Sequence, residues 1–183
     1  MADFAFENMM AINFVNLSKD CALQVLEARN AVREFMLKRR IISEVEHFRF
    51  IESLRNNKNN AYFAVYENAE FAKFIGVICL NNIDLANKNA FFGIYGTNNG
   101  AKLLKMLRFI AFSELNLHIL YAKVLSTNNR AIRFYEKSGF VRCGTMIEAF
   151  KDGETFIDLE IWALKSASLR DLGKCLNRGN PNK

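Results

Sequence analysis

The sequence predicts an α/β fold in a single domain over residues 1–165, with a mixed, mostly antiparallel central sheet and flanking helices. The chain has 183 residues, is 51% hydrophobic and contains 17 Phe and one Pro, which suits one substantial core without a linker. Alternating segments and segments of helical period follow one another as strand, two helices, three strands, helix, strand, helix and two strands. Residues 166–183 form a basic, asparagine-rich tail, and we expect part of it to be mobile.

The first elements are a short strand and a capped helix. Ala11–Val15 is the strand candidate, and Ser18 or Asp20 can cap a helix that runs to about Arg29.

The next segment, Ala31–Ile42, sets apolar residues beside the basic run Lys38–Arg40. This contrast fits either a lid or acceptor-binding loop, or an ordinary loop with apolar anchors. A capping box, S-x-x-E at Ser43–Glu46, then starts a second helix. His47 near its start is interpreted as a surface or packing residue, with a catalytic base as the alternative.

Three strands form the middle of the chain. Ala61–Glu67 and Phe71–Leu80 flank the short turn Asn68–Glu70 and predict an antiparallel hairpin. Gly76 inside the second of them indicates a bulge or a close backbone approach. Asn89–Tyr95 follows as the third strand.

A glycine-bearing turn, Gly96–Lys102, then leads into an amphipathic helix. The free N–H groups and the positive dipole end of a helix favour phosphate, so this turn is a candidate anion site. An ordinary surface turn is the alternative.

The most specific unit is residues 128–140, which follow a strand over His118–Ser126. Asn128 or Asn129 can cap the helix, and Gly139 can end it. Ala131 and Tyr135 share one helix face, so a small residue leaves room beside a tyrosine. The alternative is an amphipathic helix that simply packs a half-buried Tyr135 into the core.

The chain predicts a closing hairpin, in which Val141–Phe150 and Glu154–Leu164 flank an Asp-Gly turn. The stretch Phe156–Trp162 reads either as an exposed strand that could pair between subunits of a homodimer or as a covered strand.

Composition limits the partners. A formal charge of +6 suits an anionic ligand, but the basic residues are spread along the chain, which argues against a nucleic-acid face. Four widely spaced Cys and two His predict no metal site. No membrane span or leader is evident, so we expect a cytoplasmic protein with reduced thiols and no membrane partner.

The pattern N-x-x-A-x-x-x-Y-x-x-x-G-F at residues 128–140 resembles the C-terminal signature of the Gcn5-related N-acetyltransferases (GNAT). The Gly96–Lys102 turn is similar to that family's pyrophosphate loop, although it is shorter and has Thr97 for the usual Gln or Arg and Lys102 for the last small residue. The resemblance implies a GNAT fold with acetyl-CoA as cosubstrate. It also implies a cofactor cleft where the sheet splays, between the end of Phe92–Tyr95 and the start at His118.

The same resemblance implies a set of site residues. Tyr135 is the expected acid that protonates the leaving thiolate. A backbone N–H near Ile94 or Tyr95 is the expected oxyanion donor. The cofactor-binding candidates are Ile94, Tyr95, Asn98, Asn99, Gly100, Ala101, Lys102, Asn128, Ala131 and Tyr135.

The N-terminal half resembles the N-acetyltransferases of the bacterial pseudaminic acid pathway, through residues 26–30, 35–36, 46–51 and 92–95. In that family the acceptor is the free 4-amino group of a UDP-linked dideoxy amino sugar, whose product decorates flagellin. The implied substrate-binding residues are Arg29, Asn30, Met36, His47 and Cys79. Cys79 and Lys123 depart from that pattern, where relatives carry Ser and Glu, which leaves the sugar open.

The general base stays unassigned, with candidates Glu44, Glu46, His47, Cys79 and Lys123. A protein N-terminal or ribosomal-protein acetyltransferase and a non-catalytic module that binds acetyl-CoA are the alternative functions.

Overall fold

A computed structural model describes residues 1–67, 73–96 and 99–166. Within them one sheet of eight strands carries four α-helices. The strands are β1 (Phe4–Phe6), β2 (Met9–Asn13), β3 (Ala61–Glu67), β4 (Lys73–Asp84), β5 (Asn89–Gly96), β6 (Ile119–Leu125), β7 (Val141–Asp152) and β8 (Thr155–Lys165). The helices are α1 (Lys19–Ala31), α2 (Glu44–Ser53), α3 (Gly100–Arg108) and α4 (Asn129–Lys137).

The strand order is β1-β2-β3-β4-β5-β6-β8-β7, and every neighbouring pair is antiparallel except β5 with β6. That pair is parallel because α3 carries the chain back across the sheet between the two strands. The predicted fold class is therefore confirmed. Residues 159–162 of β8 pair on both sides, in agreement with the covered interpretation, whereas Phe156 pairs only with β7 and is exposed.

Each face of the sheet has its own core. Leu103, Leu107 and Phe134 of α3 and α4 pack over one face. Val25 of α1 and Ile51 of α2 cover the other. The central strands are thus buried on both sides, and a ligand that enters the sheet must do so where two strands separate.

The strands separate between β5 and β6. Their pairing is limited to Asn89–Phe91 with Ile119–Tyr121, although β5 continues to Gly96 and β6 to Leu125. The gap therefore opens at the carboxyl ends of both strands. Placing one side of it at His118 was wrong, because parallel strands put His118 at the closed end, where its N–H bonds the Lys88 carbonyl at 2.6 Å.

A pair of glycines beside this gap allows the backbones of β4 and β5 to approach each other closely. Gly76 and Gly96 are register partners, and both have φ of +147°. A Cβ on Gly76 would lie 2.6 Å from the Tyr95 carbonyl oxygen. The close approach expected at Gly76 is present, and only glycine fits it.

The predicted helix caps are present. Ser18 accepts from the N–H of Cys21, and Ser43 and Glu46 form both bonds of the capping box. Asn128 caps α4, and Gly139 follows that helix with φ of +81°.

Some boundaries differ from the prediction. The sequence missed β1, β2 ends at Asn13, and β4 continues to Asp84. Residues 109–114 extend α3 as a π-helical turn. The predicted turn Asn68–Glu70, residues Phe71 and Asn98, and the tail from residue 167 lie outside the described residues. None of the helices described is long and apolar enough to cross a bilayer.

Candidate active site

Tyr135 projects from α4 at the gap between β5 and β6. Its ring centre lies 4.9 Å from that of Phe140, 5.9 Å from that of Phe92 and 6.2 Å from that of Trp162. Burial raises the pKa of the phenol to about 12. The hydroxyl therefore stays protonated at neutral pH and can donate a proton only to a strongly basic neighbour.

The start of α3 lies against the middle of α4. A Cβ on Gly100 would lie 3.4 Å from the Phe134 ring. Asn128 Oδ1 accepts the Ala131 N–H at 3.1 Å, which fixes the first turn of α4. The structure thus brings together the two units that the sequence singled out, one from each side of the cleft.

The first turn of α3 presents backbone N–H groups from Gly100 and Ala101 without a carboxylate in that turn. The ammonium of Lys102 bonds the carboxylate of Glu67, so its charge is partly neutralised. The helix start, more than the lysine, supplies the attraction for an anion here.

Ile94 and Tyr95 lie on the part of β5 that β6 leaves unpaired. Ile94 packs with the core under α3 and α4, whereas Tyr95 packs with the core under α1 and α2. The strand therefore presents its backbone edge to the gap between two anchored side chains. Burial raises the pKa of the Tyr95 phenol, so this tyrosine also stays protonated.

Cys79 belongs to a polar cluster on the α1 and α2 side that the sequence did not reveal. Tyr62 donates to Asn81 Oδ1 at 2.7 Å, and Asn81 Nδ2 lies 3.4 Å from the Cys79 sulfur. The sulfur occupies the space over Gly93, where a Cβ would lie only 2.8 Å away. Burial raises the pKa of the thiol to about 11, which makes Cys79 unsuited to be a base near pH 7.

Two of the predicted acceptor residues hold a segment in place. We name residues 32–42, between α1 and α2, the strap. Arg29 donates from Nη1 to the Arg40 carbonyl at 2.9 Å and from Nη2 to the Lys38 carbonyl. Asn30 exchanges two hydrogen bonds of 2.9 Å with the backbone of Ile42. These polar groups are used within the protein, while Met36 lies partly exposed on the strap.

His47 is buried, and its Nε2 lies 2.9 Å from the Ala22 carbonyl oxygen. Its ring packs edge-on against Phe14. Burial lowers the pKa of the imidazole, which stays neutral. His47 therefore joins α2 to α1, in agreement with the packing interpretation.

Two further base candidates, Glu46 and Lys123, interact with neighbouring groups of the protein. Hydrogen bonds from Ser43 and Arg40 lower the pKa of Glu46 to about 2. The Lys123 ammonium lies 5.0 Å from the centre of the Phe91 ring. Among the described residues no cluster of three or more His, Cys, Asp or Glu could hold a metal ion.

A family model described as an acetyltransferase (GNAT) domain matches residues 18–162. The acetyltransferase PseH of Campylobacter jejuni is 31% identical over 134 residues, which cover 70% of this chain and 82% of that protein. The spermidine N(1)-acetyltransferase of Vibrio cholerae is 28% identical, over 56% of this chain and 78% of that protein.

Solved structures give the same pair of relatives. The C. jejuni PseH structure in complex with acetyl coenzyme A has a TM-score of 0.67 at 25% identity and covers 87% of this chain and 99% of that one. The V. cholerae spermidine N-acetyltransferase with CoA and spermine has a TM-score of 0.76 at 20% identity, covering 87% of this chain and 96% of that one.

Proposed function

The chain belongs to the GNAT acetyltransferase family, and we propose that its acceptor is the free 4-amino group of a UDP-linked dideoxy amino sugar. The enzyme class is N-acetyltransferase, and acetyl-CoA is the acetyl donor. The product would enter nonulosonic (pseudaminic) acid biosynthesis for flagellin glycosylation. This part of the proposal is supported by the likeness to PseH, which is the more similar in sequence of the two named relatives.

The cleft fits acetyl-CoA in three places. The start of α3 offers N–H groups to the pyrophosphate. The unpaired edge of β5 beyond Phe91 can accept the pantetheine arm as an added strand. Ala131 leaves space beside Tyr135, where the thioester supplies the activated acetyl group.

Different groups would serve the three steps of acetyl transfer. A backbone N–H near Ile94 or Tyr95 would stabilise the oxyanion. Tyr135 would return a proton to the leaving thiolate. Cys79 and His47 are buried, and the pKa of Glu46 is lowered to about 2, so we propose that solvent removes the proton of the acceptor amine.

The observation that carries the choice of acceptor is the likeness to PseH, which is 31% identical over 70% of this chain. The formal charge of +6 also suits an acceptor with phosphates better than a polycationic amine. The arginines of the strap bond nearby carboxylates in three pairs, Arg33–Glu34, Arg39–Asp152 and Arg40–Glu46, so both charges of each pair are compensated.

The test is a comparison of acceptors. CoA release is measured with the UDP-linked 4-amino sugar, spermidine and a peptide with a free N-terminus, while calorimetry gives the acetyl-CoA affinity. We expect kcat/KM for the sugar nucleotide to exceed that for the others by at least about 100-fold. A preference for spermidine or the peptide would overturn the proposed acceptor but not the enzyme class.

A homodimer is also proposed. Because β8 lies between β6 and β7 in the sheet, strand pairing between subunits would use an outer strand such as β7. A mass measurement in solution tests this, and a monomer at assay concentration would overturn it.

A further inference from the structure

The strap is attached to both walls of the cleft. On the β5 side, Arg29 holds two strap carbonyls and lies close enough to Tyr95 to interact with it electrostatically. On the other side, Arg39 reaches the hairpin of β7 and β8, where its Nη1 lies 2.6 Å from Asp152 Oδ2. Since β8 pairs with β6, the strap spans the gap between β5 and β6.

The hairpin extends past the open end of that gap. Leu125, the last residue of β6, pairs with Leu159, so the part of the hairpin around Asp152 continues beyond β6. The Arg39 guanidinium carbon lies 5.1 Å from the centre of the Phe150 ring in the same region. Arg39 is therefore the contact that joins the strap to the far wall.

The strap lies on the face where the acceptor must enter. The residues of α3 and Tyr135 of α4 pack on the opposite face, which is the proposed side of the donor. An amine can reach the thioester only from the side of α1 and α2, because the donor itself fills the other approach. A strap closed over this side must let the acceptor pass.

The contact of Arg39 with Asp152 and Phe150 has both stabilising and destabilising contributions. The ion pair and the cation–π contact stabilise it, but the Arg39 and Asp152 side chains remain 28% and 38% exposed. Arg39 Nε is buried and has no hydrogen-bond partner among residues 1–67, 73–96 and 99–166. An orphaned donor is unfavourable, and opening returns it to water.

Apolar burial adds little to keep the strap closed. Phe35 is 65% exposed, Leu37 45% and Ile41 66%. Closure on the hairpin side therefore depends on the polar contact of Arg39.

We propose that Arg39 is a positioning residue whose contact with Asp152 and Phe150 is a latch, which opens to admit the acceptor and closes the strap over it. The inference rests on the proposed function in one respect, that an acceptor amine enters on this face. It does not depend on which amine that is.

The test compares two carboxylate-to-amide substitutions. Asp152→Asn removes the ion pair of the latch, whereas Glu46→Gln removes another ion pair of the strap, to Arg40, and keeps a side chain that suits the capping box. Neither changes the trypsin sites of the strap, which are Arg33, Lys38, Arg39 and Arg40. Cleavage of a folded protein at such sites follows the population of the open form.

We expect Asp152→Asn to raise the rate of trypsin cleavage in the strap by about fivefold, and the acceptor KM by a similar factor. The acetyl-CoA affinity should not change. Glu46→Gln should match the wild type in all three measurements. The exchanged pair Arg39→Asp with Asp152→Arg should lower the acceptor KM again relative to Asp152→Asn, because the attraction is restored.

Equal cleavage rates for Asp152→Asn and the wild type would overturn the latch, with or without an acceptor. An equal increase in the cleavage rate for Asp152→Asn and Glu46→Gln would also overturn the latch, because the loss of either carboxylate charge would then open the strap. Faster cleavage with an unchanged acceptor KM would overturn the positioning role. If none of the amines is acetylated, the proposed acceptor fails while the cleavage rates still decide the latch.

Discussion

Replacing Tyr135 with Phe removes one hydroxyl and leaves the ring among its neighbours. The contacts with Phe92, Phe140 and Trp162 are made by the ring, so the packing of α4 should persist. Any loss of turnover in Tyr135→Phe would then report the missing proton rather than a displaced helix.

The size of the effect depends on the pKa gap between the phenol and the leaving thiol. Against a reference thiol of about 8.5, the value of about 12 for Tyr135 makes proton transfer unfavourable by about 3.5 units, or about 4.8 kcal/mol. Cys79, however, interacts with Tyr135 and has a pKa of about 11 through burial. A leaving thiol buried to the same extent narrows the gap to one unit, or about 1.4 kcal/mol.

For a leaving thiol so buried, proton transfer from Tyr135 is nearly balanced, and general acids then contribute about 10²- to 10⁴-fold. We therefore expect Tyr135→Phe to lower kcat by at least about 100-fold. The acetyl-CoA dissociation constant should change by less than about threefold, since the ring contacts remain.

Steady-state CoA release at saturating acetyl-CoA and acceptor gives kcat, and calorimetry with acetyl-CoA gives the affinity. A kcat within threefold of the wild type would refute the acid role of Tyr135. If acetyl-CoA affinity and kcat fell together, the hydroxyl of Tyr135 would contribute to acetyl-CoA binding and not only to proton transfer.

Two further predictions concern stability. Gly76→Ala should lower the free energy of unfolding by about 1–3 kcal/mol in denaturant titrations, because φ of +147° and the Tyr95 carbonyl exclude a side chain, whereas Gly144→Ala, in open space, should have little effect. Burial lowers the pKa of His47, so on acidification this imidazole is protonated in the unfolded chain before it is protonated in the folded protein. The contribution of His47 to the free energy of unfolding should therefore be complete above about pH 6.5 and fall as the pH is lowered. His47→Gln should reduce this pH dependence, measured by denaturant titration at several pH values; a curve equal to that of the wild type would contradict the assignment.

The parts of the fold that the sequence predicts well are those decided by neighbouring residues. Ser43 and Glu46 satisfy each other's helix N–H groups within four positions, and Asn128 caps α4 in the same local way. The three-residue strand β1 was missed because it is too short to show a period, and its place depends on pairing with β2.

The candidate site also combines features that neighbouring residues decide with features that depend on contacts between distant segments. Tyr135 and the start of α3 can be found from spacing because each lies within one strand-to-helix unit. The Tyr62–Asn81–Cys79 cluster could not be found, since its members face one another across neighbouring strands. His47 gives no signal of its partner, a carbonyl 25 positions earlier.

The strap shows why acceptor specificity is harder to infer than donor specificity. In the proposed site, acetyl-CoA would meet a helix start and a strand edge, which local sequence determines. The proposed acceptor would meet the strap, whose position depends on side-chain bonds from Arg29 and Asn30 at one end and from Arg39 at the other. Substitutions at these residues would thus alter acceptor choice by moving the strap. A GNAT enzyme can in this way keep its donor site while its acceptor changes through residues that need not contact the acceptor.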